Sequence, residues 1–181
     1  MPERLSEPRW ADLQAQLSAY DRKALVALVR DLYRVSAENR RFLHARLLGS
    51  QAELATYRRQ VADAIFPDPL SRRPLRLGEA QRLIRHFRRA TEDVAGTVDL
   101  MLTLVEAGTE QAADLGYGDE RYFTALEGVI HDAVKALKTL PGESRERVVA
   151  RLRRVANRGA SIGWGYGDYL REVVAALPDR S

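Results

Sequence analysis

The stretch from Glu92 to Leu115, EDVAGTVDLMLTLVEAGTEQAADL, decides the fold. It contains no proline. At 100° per residue Val94, Val98, Met101, Val105 and Ala112 fall close to one line, with Leu102 and Leu104 flanking it. The opposite line carries Asp99, Thr103, Glu106, Glu110 and Asp114. One long helix is therefore expected, apolar on the side that enters a core and acidic on the other. The ordinary reading of the acidic line is a solvated face. The sharper alternatives are a ligand stripe for a divalent cation or a docking face for a basic partner. A cation site needs oxygens converging from more than one segment, which a single helix does not supply.

Outward from this helix, every periodic segment repeats near 3.6 residues. On the N-terminal side, Trp10, Leu13 and Leu17 share one face of a first helix. Asp21 is placed to cap a second, in which Leu25, Leu28, Val29 and Leu32 recur at i, i+3, i+4 and i+7, and the two are expected to form a helical hairpin. Ser36 opens a third helix with Phe42, Leu43 and Leu47 on its apolar side, closed by Gly49. Ser50 and Glu53 form a capping-box pattern that opens a fourth, with Leu54, Tyr57, Val61 and Ile65 inward. The proline-rich stretch 66–78 breaks the helical pattern before a fifth helix, Glu79 to about Ala90, that buries Ala80, Leu83, Ile84 and Phe87.

On the C-terminal side Gly116 and Gly118 end the central helix, and Asp119 starts another whose wide apolar arc predicts burial on two sides. Pro141 and Gly142 then separate it from a helix over 143–158, and the turn 160–167 leads to a last helix from Asp168. No segment alternates with period two, so no strand is expected. The expected fold is all-α, one compact domain over residues 1–181 with eight or nine mostly antiparallel helices, as a bundle or stacked helical hairpins.

Composition narrows the function classes. The chain is 45% hydrophobic and 30% charged, as in ordinary globular proteins, and contains no cysteine. Thiolate nucleophiles, disulfides and Cys-ligated zinc are thereby excluded. The N-terminal residues lack the basic start and apolar run of a secretory signal, and no apolar run reaches membrane-spanning length, so the expectation is a cytoplasmic protein with no membrane partner.

The formal charge of +4 hides a strong polarity. Between Tyr57 and Thr91 nine arginines face three acids, a local balance of +6, whereas from Glu92 to Asp132 ten acids face only Arg121. Arg82, Arg85, Arg88 and Arg89 lie away from the apolar side of the fifth helix, preceded by Arg72, Arg73 and Arg76. Such a cluster can follow a row of phosphates with forked guanidinium donors, or it can pair with the acidic helices of the same chain, for instance with Glu106 or Glu110. A second basic run lies over 145–158, with Arg145, Arg147, Arg151, Arg153, Arg154 and Arg158.

The turn Gly163-Trp164-Gly165-Tyr166-Gly167-Asp168 is the most unusual local sequence. Its glycine spacing matches neither a dinucleotide fingerprint nor a P-loop, and an aspartate at the helix start repels phosphate. It reads as a corner in which Trp164 and Tyr166 plug the gap between the last two helices, the alternative being an aromatic platform for a base or peptide. Glu127 and His131 stand at i, i+4 without the further pairs a carboxylate metal site requires, so no metal or cofactor is expected. No serine sits in a nucleophile-elbow context, so a hydrolase triad has no support.

The segments LVRDLYRVSAENRRFLHARL at 28–47, DLMLTLVEAG at 99–108 and IGWGYGDYL at 162–170 together resemble a family of small bacterial all-helical proteins catalogued only as a domain of unknown function. The resemblance implies a helical domain in a bacterial cytoplasm and brings no catalytic residues. The leading functional expectation is a non-enzymatic interaction or scaffold module with a protein partner. Nucleic-acid or polyanion binding through residues 72–89 and 145–158 comes second, and a metal-dependent enzyme third.

Overall fold

The computed structural model describes residues 9–48, 50–65 and 75–177. All regular structure among them is helical, so the all-α expectation holds: nine α-helices and one short 3-10 turn, with no strand. The helices are α1 (Trp10–Ser18), α2 (Arg22–Val35), α3 (Ala37–Leu48), α4 (Ser50–Ile65), α5 (Leu77–Thr91), α6 (Val94–Leu115), α7 (Glu120–Ala136), α8 (Gly142–Gly159) and α9 (Tyr166–Ala175). The chain comprises two compact units, residues 1–43 and 44–181.

Local chemistry sets the helix starts. Asp21, Asp93 and Asp119 each accept a hydrogen bond from the backbone N–H three residues on, at 2.7, 2.9 and 2.8 Å, satisfying a donor that the helix itself leaves open. The Ser36 hydroxyl does the same for Asn39 at 3.0 Å. Gly116 ends α6 with φ +63°, a left-handed conformation cheap for glycine. Glu92 adopts φ +56° to turn the chain directly from α5 into α6.

In the second unit α6 is the central element, with α4, α5, α7 and α8 all packed on it. Enclosure from several directions explains why its buried surface is broader than one stripe. Leu100, Leu102, Leu104 and Val105 are completely buried, and Thr97, Thr109 and Gln111 are buried with them. The inward line expected from periodicity is shifted: Val94 is exposed at the helix start and Met101 is only half-buried. Around α6 the core is completed by Tyr57, Val61 and Ile65 of α4, Ile84 and Phe87 of α5, Leu126 and Ile130 of α7, Leu152 of α8 and Leu170 of α9.

The first unit contrasts with this. No residue of α1 or α2 is buried: Trp10 and Leu13 are exposed and Leu17 is half-buried. On α3, which runs from the first unit into the second, Ala45 is buried and Leu43 half-buried, whereas Phe42 and Leu47 of the expected face are exposed. Gly49 lies outside the described residues, as does most of the proline-rich stretch. Among the described residues no helix is long and apolar enough to cross a membrane.

Candidate interaction surfaces

The acidic line of α6 is only partly solvated: Glu110 and Asp114 are exposed, whereas Asp99 and Glu106 are half-buried and paired. Arg151 of α8 reaches it with a forked grip on Glu106, Nε to Oε1 at 2.8 Å and Nη2 to Oε2 at 2.6 Å, while its Nη1 donates to Asp99 Oδ1 at 2.8 Å. Arg58 of α4 donates to the other oxygen of Asp99, and Arg158 pairs with Asp114. Burial disfavours the charged Arg151 guanidinium, yet its hydrogen bonds and attraction to Glu106 and Asp99 outweigh that and raise its pKa. Beside this knot lies a cleft of about 300 Å³ lined by Arg58, Asp93, Asp99, Ser144, Arg147 and Arg151. Its arginines and aspartates largely neutralise one another, so it is a structural joint between α4, α6 and α8 rather than an anion pocket.

That pairing redistributes the basic candidates. On α8, Arg151 and Arg158 bind α6, Arg147 bonds Glu143 and Ser144, and Arg145 donates to the carbonyls of Leu137 and Leu140 at 3.1 Å each. Arg145, Arg147, Arg151 and Arg158 thus have partners within the protein, and that run is not a free basic face. On α5 the opposite holds: Arg82, Arg85, Arg88 and Arg89 are exposed, and among the described residues none has a carboxylate partner. Glu106, one partner considered for them, belongs to Arg151. Arg76 pairs with Glu79 at 2.6 Å at the start of α5, and Arg72 and Arg73 lie outside the described residues.

The aromatic turn is a corner for one of its two rings. Tyr166 is completely buried, its hydroxyl 2.8 Å from that of Thr109 on α6 and its ring tilted on Phe123 at 5.0 Å. Burial pushes the Tyr166 phenol well above its usual range, against the Thr109 hydrogen bond that lowers it. Gly167 is required there, since a Cβ would stand 2.7 Å from the Ala160 carbonyl oxygen. Trp164 does not plug the gap: it is exposed, and its φ of +59° is a left-handed conformation that a bulky side chain rarely takes. Asp168 sits in the first turn of α9, which begins at Tyr166, and pairs with Arg171.

Two features escape periodicity. His86, on the buried side of α5 beside Phe87, shares a hydrogen bond between its Nδ1 and the Tyr57 hydroxyl. Its position on the apolar arc was the available signal. Among the described residues no three His, Asp or Glu side chains are grouped to hold a metal ion, and the Glu127 backbone carbonyl accepts from Tyr169 at 3.1 Å.

The other is the apolar surface of the first unit. Trp10, Leu13, Tyr20, Leu25, Val26, Leu28, Val29, Leu32, Tyr33 and Val35 each keep between 36% and 76% of their surface exposed. On α2 the residues Leu25, Leu28, Val29, Leu32 and Val35 fall within roughly 120° of arc. Arg30, Arg34 and Lys23 take the opposite side. The helix is thus strongly amphipathic with its apolar side only half covered.

No family model, curated protein or solved structure matches the chain. Its surfaces are therefore read from their own chemistry.

Proposed function

We propose that the protein is a non-enzymatic helical interaction module whose working surface is the apolar side of α2. The observation that carries this reading is the partly exposed run Leu25, Leu28, Val29, Leu32 and Val35, which keeps 37–76% of its surface open. A contiguous apolar patch of that size on an otherwise charged helix is the usual mark of a protein-binding face. A second unit with a well-filled core holds itself together, while the first keeps its leucines available. The cysteine-free chain suits work in the reducing cytoplasm. The test is a photo-crosslinking residue placed at Leu32 or Val35 of the full chain in its native cell. A discrete adduct of either mass, with the chain itself or with another protein, supports the reading. Only uncrosslinked protein from both positions refutes it.

A second reading, polyanion binding, is favoured by the arginine row of α5. Arg82, Arg85 and Arg89 stand at i, i+3 and i+7 on one side of the helix, where like charges repel by roughly 0.2–0.5 kcal/mol per neighbouring pair. A phosphate backbone would relieve that repulsion. Retention on heparin that falls with salt, and falls further in the triple variant Arg82→Gln/Arg85→Gln/Arg89→Gln, tests it; no retention at low salt removes it.

A further inference from the structure

We infer that the surface left open by the first unit is covered by the first unit of a second copy of this chain, forming a two-fold helical dimer. This rests on the interaction-module reading and names its partner.

Spacing is the first argument. Trp10, Leu13, Leu17 and Tyr20 stand at intervals of three, four and three, and so do Leu25, Leu28, Leu32 and Val35. On α2 that is two a/d repeats, and on α1 it is Trp10, Leu13 and Leu17, with Tyr20 following in the connection, the narrow seam by which helices pair with helices. Only three residues, Ala19 to Asp21, join α1 to α2. Each chain therefore brings two seams to the interface, and two chains bring the four of a helical bundle.

The second argument is self-complementarity. If α2 meets its copy antiparallel about a point between Leu28 and Val29, Leu25 faces Leu32 of the second copy and Leu28 faces its Val29, so one patch satisfies itself as a two-fold contact requires. Lys23, Arg30 and Arg34 point away from that seam, and their like charges do not meet.

Area supplies the third argument. At roughly 150 Å² for a fully exposed large side chain, Trp10, Leu13, Tyr20 and the five residues of the α2 arc leave on the order of 600 Å² open per chain. Two chains would then bury about 1,200 Å², the lower end of the range for a specific interface. The unit also has reason to need it, since a small piece whose helices α1 and α2 bury no residue does not hold a fold without outside support. An anionic bilayer fits less well, because α1 carries its apolar stripe with no lysine or arginine at all.

The experiment is light scattering on the full chain after size exclusion, at tens of micromolar and on dilution. The expected mass is twice the 20.4 kDa of the chain. Leu28→Asp/Leu32→Asp should weaken dimerisation by about 100-fold or more, two buried leucines being lost from each side. Leu28→Ala/Leu32→Ala should weaken it less, with helicity by circular dichroism unchanged. Leu115→Asp, an exposed apolar residue of the second unit, should leave the dimer intact. A monomeric wild type overturns the inference, as does a dimer that survives the aspartates or is lost with Leu115→Asp. A monomer that co-sediments with phosphatidylglycerol vesicles, and loses this with the aspartates, also overturns it and assigns the surface to a bilayer. A wild-type monomer whose crosslinker at Val35 still captures another protein overturns the dimer alone and leaves the interaction module standing.

Discussion

Replacing Arg151 by methionine tests whether the acidic line of α6 is structural. The side chain is 18% exposed and holds Glu106 through two hydrogen bonds and Asp99 through a third. Asp99 keeps Arg58 in the variant, but Glu106 loses its guanidinium. Fully exposed pairs are worth roughly 0–1 kcal/mol, and removing one partner of a buried pair costs roughly 3–5 kcal/mol. With Asp99 22% and Glu106 34% exposed, this network sits between those limits, and the expected loss is about 2 kcal/mol. For a domain of this size that lowers Tm by about 4–8 °C. Thermal unfolding followed by circular dichroism measures it. Adding Glu106→Gln to Arg151→Met should recover part of the loss, because the uncompensated charge is then removed. High salt should narrow the gap only partly, since the pair is shielded from solvent on one side. A variant melting within about 1 °C of wild type would refute the reasoning and return the acidic line to solvent.

Other outcomes follow from the same geometry. Tyr122 and Tyr166 are both raised above the ordinary phenol value of about 10, chiefly by burial, so the folded state keeps protons that the unfolded chain gives up. Stability present below about pH 10 is therefore lost as pH rises beyond it, and Tyr122→Phe/Tyr166→Phe should flatten that decline in denaturant titrations, at a cost near neutral pH of about 1 kcal/mol for each hydroxyl bond removed. Arg82→Gln/Arg85→Gln/Arg89→Gln should leave Tm unchanged or slightly higher, because these arginines lose repulsion and no carboxylate partner among the described residues; a clear drop would mean that they are paired. Leu104→Ala, in the fully buried part of α6, should cost about 2–5 kcal/mol in chemical denaturation, and Met101→Ala distinctly less, the reverse order identifying Met101 as the inward residue. Trp164→Gly should stabilise the protein by about 1 kcal/mol by relieving a left-handed backbone at an exposed side chain, and a loss in calorimetry would mean that the indole packs.

Helix positions were legible because their signals are local. Asp21, Ser36 and Asp119 open helices through bonds to donors three residues away, and Gly116 closes one through its own conformation. What the sequence did not disclose is what each side meets. The partner of Glu106 is Arg151, 45 residues further on, and nothing in the spacing of α6 points to it. The α5 arginines looked equally ready to pair, yet the pairing went to α4 and α8, which the fold brings against the acidic line. Helical periodicity gave α2 an apolar side correctly but could not say that the chain leaves it only half covered. At the glycine-rich turn, Tyr166 and Trp164 are two residues apart and chemically alike, and only the backbone turn at Trp164 and Gly165 separates an inward ring from an outward one.

The position of α6 also governs the order in which the protein can be made. Its neighbours α4 and α5 precede it in the chain, while α7 and α8 follow it. A nascent chain that has just released Leu115 holds a helix whose leucines are only partly enclosed and whose Asp99 and Glu106 still lack Arg151. The second unit cannot close until α8 has left the ribosome, some 40 residues later. At ~5–20 residues per second that is an interval of about 2–8 s, in which the most apolar helix of the protein is exposed to chaperones and to other nascent chains. The arginine that locks the bundle is thus among the last of its groups to arrive.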